Sequence, residues 1–246
     1  MTLLEEVLEA HGGRERWAST RTIRGRVRSG GLLIRTRVPG NGFRDGRIEV
    51  TVGDPVSSAG PFPRQGQRGV FDHGAVRIET EDGEVLEARE QPRELFFGRR
   101  GLRRNLRWDA LDAIYFAGYA WWNYLNVPYL LARDGVRVTE VEPWREADGA
   151  QTWRRLEARF PAELDTHSER QLFYYDSDLR LRRHDYTAEV VGGWARAAHM
   201  CGDHVEVGGL LFPTRRWVRP VGPGNRPLPA PTLVSLQLSE IEVEGE

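Results

Sequence analysis

The chain has 246 residues, 39 % hydrophobic and 29 % charged, the balance of a globular protein. All 35 of its basic residues are Arg and face 36 acidic ones, leaving a net charge of -1; this gives no global field for nucleic acid or an anionic membrane, and no Lys for Schiff-base or P-loop chemistry. Its single cysteine, Cys201, excludes an intramolecular disulfide and any zinc site with two or more Cys.

The opening MTLLEEVLEAHGG has no basic n-region, long apolar core or cleavage site, so no secretory signal is read there and a cytoplasmic location is expected. Leu3, Leu4, Val7 and Leu8 predict a helix over 2–10, ended by Gly12-Gly13, with a short second helix at about 14–19. TIRGRVRS, GG and LLIRTRVP then read as a hairpin with a glycine turn, followed by a strand in FRDGRIEVTVG. Residues 53–67 are rich in Pro, Gly and Ser and read as a loop. Residues 68–90 read as three short strands joined at DHG and EDG, and QPRELFFG as one helical turn. Arg99 to Arg107 form a basic run, a solvated linker or, more sharply read, a phosphate-binding patch.

Residues 108–131 carry four Tyr, three Trp and one Phe. Asp109 can cap a helix over about 109–126 that stops before Pro128. From Ala113 this helix is apolar or aromatic on every side and must be covered on every side. Its Asn, Gly, Tyr and Trp content argues against a membrane span. The cover lies in the second half, where strands read at about 135–142, 151–160, 167–176, 179–188, 197–207, 210–219 and 232–244, with turns at ADG, DSD and GG.

The stretch LLEEVLEAHGGRERWASTRTIRGRV resembles the start of proteins with the LolA/LppX-like lipoprotein-carrier fold: a helix, a Gly-Gly break, a short helix, then a strand of T-I-x-G-x-V type. The resemblance is strongest over the first ~50 residues and otherwise architectural. It implies a cavity for acyl chains or other lipids. FYYDSDLRLRRHDY and DHVEVGGLLFPTRRWV are similar to segments of uncharacterised bacterial proteins. The expected fold is mainly β, one domain over 1–246: a curved antiparallel half-barrel of about 11–13 strands, with an N-terminal helix and the aromatic helix plugging its concave face.

Two hairpins carry the candidate chemistry. With Ser177-Asp178 as a two-residue loop, Gln171 falls opposite His184, Glu169 opposite Tyr186 and Phe173 opposite Arg182, and His167 shares their face. Glu169, His184 and Tyr186 then form a proton-handling group, or the polar outside of an ordinary hairpin. With Gly208-Gly209 as the second turn, His199, Cys201, Asp203, Phe212, Thr214 and Arg216 share an inward face, His199, Asp203 and Arg216 being polar groups on an apolar wall. The alternative reading is that Asp203 and Arg216 only pair with each other, and His204 is expected on the solvated side. Cys201 is read as inert packing rather than a nucleophile. His199 and His204 fall on opposite faces, so neither a metal nor another cofactor is expected. Phe116, Tyr119, Trp122, Asn123 and Tyr124 of the helix, with Phe173 and Phe212, are the expected ligand contacts. The function that follows is the binding of a hydrophobic small molecule in an internal cavity by a cofactor-independent acid/base cyclase, isomerase or dehydratase of specialised metabolism, with a non-catalytic carrier or sensor as the alternative; no nucleic acid or inserted membrane is expected as a partner.

Overall fold

A computed structural model describes residues 1–40, 43–101, 103–104, 106–145 and 151–245. The helices are α1 (Leu3–Ala10), α2 (Gly13–Ala18), α3 (Leu32–Arg37), α4 (Gly98–Gly101) and α5 (Ala110–Asn126). The strands are β1 (Thr20–Gly30), β2 (Gly46–Thr51), β3 (Val56–Gly60), β4 (Gln67–Asp72), β5 (Ala75–Thr80), β6 (Val85–Arg89), β7 (Arg137–Arg145), β8 (Thr152–Arg159), β9 (Arg170–Tyr175), β10 (Leu181–Thr187), β11 (Arg196–Val207), β12 (Leu210–Pro220) and β13 (Val234–Gly245). All thirteen belong to one antiparallel sheet, ordered β6-β5-β4-β3-β2-β1-β13-β12-β11-β10-β9-β8-β7 and not closed. The chain builds one wing as a meander, crosses over through α5, builds the other wing, and closes the seam between β1 and β13.

Helix α5 lies in the concave face, as its all-round apolar surface requires. Every residue from Leu111 to Asn126 is buried. Asp109 and Asp112 form a reciprocal capping box at its start. Asp112, fully buried, also accepts from Arg89 (2.7 Å) and Arg104 (2.8 Å). Arg104 of the basic run is therefore a structural counter-ion rather than part of a solvated linker; the run's residues 102 and 105 lie outside the described residues. Close approach to the sheet depends on missing side chains. A Cβ on Gly118 would lie 2.3 Å from Phe71 Cβ, and one on Gly69 1.6 Å from Ile114 Cδ1. Ser57 Oγ on β3 donates to the Gly118 carbonyl (2.9 Å).

Two expectations fail at the first wing. LLIRTRVP is not a strand: 32–37 is α3, which begins where Gly31 turns at φ +104 against the Leu233 carbonyl, and β1 instead pairs with β2 and β13. The 53–67 loop contains β3, a strand of small residues lying directly beneath α5. The three short strands, the turn at 92–96 and the seven later strands fall where expected; the ADG turn lies outside the described residues. Among the described residues, no helix is long and apolar enough to cross a membrane.

Candidate functional site: a buried Tyr-His-Arg cluster under the central helix

The Gly208-Gly209 hairpin has the expected register, with Val207 opposite Leu210, Cys201 opposite Arg216 and His199 opposite Val218. The DSD hairpin is displaced by two residues. Asp176 Oδ1 accepts from the amides of Asp178 and Arg180, Leu179 takes φ +59, and the resulting five-residue turn sets His184 opposite Phe173. A shift of two keeps every side chain on its face. His184 therefore still points inward, stacked on Phe173 (4.2 Å between ring centres), with Nε2 2.5 Å from Gln171 Oε1.

β10 and β11 are neighbours, with His184 directly opposite His199. The two polar groups read from the sequence are therefore one cluster, completed from above by α5. The Tyr124 hydroxyl lies 2.7 Å from His167 Nε2 and 3.3 Å from the Tyr186 hydroxyl. The Tyr119 hydroxyl lies 3.1 Å from His167 Nδ1, and the Tyr186 hydroxyl 3.4 Å from His199 Nδ1. The His167 ring stacks on Tyr186 at 3.9 Å. Arg216 crosses beneath the Tyr124 ring at 4.9 Å and donates to the Tyr124 carbonyl (3.1 Å) and to Cys201 Sγ (3.2 Å). Next to this cluster, the Tyr115 hydroxyl donates to Asp165, and Arg93 donates to the same hydroxyl (3.2 Å).

The cluster is dry. His167, His184 and His199 are at most 3 % exposed. Burial holds all three imidazoles below their ordinary range, that of His167 at about 3, with Arg93 or Arg216 adding repulsion. Burial likewise pushes the Tyr119, Tyr124 and Tyr186 hydroxyls and the Cys201 thiol up. Near neutral pH the site holds neutral imidazoles, protonated phenols and one guanidinium. A neutral His167 has one donor and one acceptor nitrogen, so one of its two tyrosines donates to it and the other accepts.

Beside the cluster runs an apolar crevice between α3, α5 and the wall. It is lined by Ile34, Phe43, Phe116, Trp121, Tyr124 and Tyr186 among others, with Ser29 and Leu236 in its floor. Its free volume is about 30 Å³, room for a water molecule or two. Among the described residues, no group of three or more His, Cys, Asp or Glu has metal-binding geometry.

Several expected site residues lie elsewhere. Glu169 precedes β9, is exposed and faces Arg159 at 3.7 Å, because the strand alternation that placed it inside begins only at Arg170. Asp203 takes φ +53, which interrupts the alternation of β11; it is exposed and does not pair with Arg216, while Thr214 donates to its carbonyl (2.5 Å). The same break turns His204 inward to a half-buried position, where burial lowers it to about 4. Trp122 faces the opposite wing, with Nε1 donating to the Thr51 carbonyl (3.0 Å). Asn123 Nδ2 is taken by the Tyr119 and Asp165 carbonyls, and Phe212 is general core. The Cys201 thiol meets Arg216 and not the His199 ring. His167, Gln171 and Trp121 belong to the site and were not chosen from the sequence, although the alternation had put His167 and Gln171 on the right face.

The curved sheet around a buried helix is LolA-like in fold. A LolA superfamily protein from Nitrosomonas europaea is similar over 99 % of this chain and 93 % of its own, with 12 % identity and a TM-score of 0.53. A DUF1329 family protein from Desulfovibrio piger matches 98 % of this chain and 92 % of its own at 9 % identity and a TM-score of 0.47. No family model and no curated protein sequence matches the chain.

Proposed function

We propose that this protein binds a hydrophobic small molecule in the crevice between α3, α5 and the β1–β13 seam, as a carrier or sensor. The observation that carries this reading is the crevice itself: an apolar slot on the concave face, lined among others by Tyr124 and Tyr186, whose hydroxyls pair with each other. Apolar walls with a few convergent polar groups are the usual form of a small-molecule site. At about 30 Å³ the slot is far smaller than a lipid chain, so binding requires it to widen. A second reading, a cofactor-independent cyclase, isomerase or dehydratase, rests on the same hydroxyls being backed by His167 and His199. Its candidate residues are His184, Tyr186, His199 and Arg216.

The test uses protein stripped of co-purified lipid and a fluorescent long-chain fatty-acid analogue. Saturable binding is expected, weakened at least tenfold, or about 1.4 kcal/mol, by Ala120→Phe, which fills the slot. Absence of binding, or equal affinity in a folded Ala120→Phe variant, refutes the proposal. Native mass spectrometry of untreated protein supplies the natural occupant, and its conversion to a product lost in His199→Ala would establish the second reading.

A further inference from the structure

Among the described residues, three arginines are more than nine-tenths buried: Arg104, Arg183 and Arg216. The first two have carboxylates. Arg104 meets Asp112 at 2.8 Å and Arg183 meets Asp185 at 2.6 Å. Arg216 has none among the described residues. Its hydrogen bonds go to a backbone carbonyl and to a thiol, which is a weak acceptor. The other buried acids are committed: Asp112 to Arg89 and Arg104, Asp185 to Arg183, and Glu79 to Arg68 and Arg77. A buried guanidinium without an anion is costly, and folds normally supply one.

Three further polar atoms that feel the charge of Arg216 are buried without a partner. His199 Nε2 is one, on a ring that meets Tyr124 edge-on at 4.7 Å. The Tyr175 hydroxyl, fully buried, and His204 Nε2 are the others. Arg216 does not line the crevice and stands one residue behind its wall. Tyr124, whose ring lies over its guanidinium, lines the slot, and so does Leu236, its partner across β12 and β13.

We propose that the crevice ligand is an amphiphile with a carboxylate head, a fatty-acid-like molecule whose chain lies between α3 and α5 and whose head pairs with Arg216 beside His199 and Tyr175. This rests on the crevice being a binding site. The head enters by turning the Tyr124 ring aside, and its oxygens accept from the guanidinium. A singly charged head matches a single cation. A phosphate dianion would need a second, and the neighbouring imidazoles are neutral.

The test is calorimetric titration of lipid-stripped protein near pH 7.5 with dodecanoic acid, dodecan-1-ol, methyl dodecanoate and dodecyl phosphate. Dodecanoate is expected to bind at least tenfold more tightly than the alcohol or the ester. Arg216→Met is expected to erase that preference while leaving alcohol affinity within about threefold, and Arg216→Lys to restore part of it. Met replaces an unpaired buried charge with an apolar chain, so this variant should fold; if it does not, the comparison of the acid with the alcohol in the unaltered protein decides. Equal binding of acid and alcohol, or a preference that survives in Arg216→Met, overturns the head-group assignment and leaves the crevice reading standing. Tighter binding of the phosphate overturns the carboxylate. Failure of all four to bind overturns both.

Discussion

The three enclosed imidazoles make stability depend on pH in a direction and size that can be worked out. His167, His184 and His199 are held below the ordinary value of 6.5 in the folded chain, and burial is the largest cause for each. Below 6.5 the unfolded chain binds a proton at each position and the folded chain does not, so stability is full above 6.5 and falls as pH drops toward the folded values. Each histidine contributes a slope of about 1.4 kcal/mol per pH unit in that window. Going from about pH 7.5 to about pH 5.5 therefore removes about 1.4 kcal/mol per ring, or about 4 kcal/mol for the three. His11, buried and lowered by that burial, and His204, half-buried and lowered to about 4, add in the same direction. Asp165, raised by burial, works the other way, since its folded form holds a proton longer than the unfolded one. His73, raised by Asp72, also opposes, but it is exposed and screened. Against a total of roughly 5–15 kcal/mol, a loss of about 4 is severe. With a urea slope of about 3 kcal/mol/M for a chain of this size, the midpoint should fall by more than about 1 M between the two pH values, followed by Trp fluorescence. A midpoint that moves by less than about 0.3 M would refute the reasoning, because it would mean that the rings are hydrated or charged in the folded protein.

Asp112→Ala should cost about 3–5 kcal/mol by urea titration, because it leaves the guanidinium of buried Arg104 and that of Arg89 without their carboxylate at the capped start of α5. Gly118→Ala should lower the melting temperature, since crowding Phe71 costs about 1–3 kcal/mol and exceeds the roughly 1 kcal/mol gained in helix propensity.

Local chemistry made most of the fold legible. The Gly-Gly turn fixed ten cross-strand pairs of β11 and β12, and the Asp cap together with an all-round apolar surface placed α5 inside before any partner strand was known. The failures arose where a non-local contact decides. Residues 32–37 look like a strand, but both edges of β1 are occupied by β2 and β13, so the segment folds over the seam as α3. β3 carries the small residues that a helix pressed against a sheet requires, and small polar residues read as loop. The site follows the same division. Alternation places His184, Tyr186, His199 and Arg216 on their faces one strand at a time, and the structure buries all four. That they form a single cluster depends on β10 lying beside β11 and on Tyr124 descending from α5, neither of which is a property of any short segment. Glu169 and Asp203 were misplaced because alternation was carried past a strand start and through a left-handed residue.

The burial that encloses the proposed binding crevice also weighs against acid/base catalysis by the cluster beside it. A general base works best with a pKa near the operating pH, and dry surroundings have lowered every imidazole of the cluster while raising every phenol. A negatively charged ligand head beside Arg216 would reverse part of this for His199, because a neighbouring anion favours the imidazolium and offsets the repulsion from Arg216. Occupancy and proton affinity are then linked. A carboxylate ligand that raises the His199 pKa must by reciprocity bind more tightly as pH falls through that raised value, whereas an alcohol of the same length must show no such dependence. The carrier and enzyme readings thus differ in what happens after the head is seated. A carrier keeps the proton within the Tyr-His network, and an enzyme passes it to the ligand and releases a changed molecule.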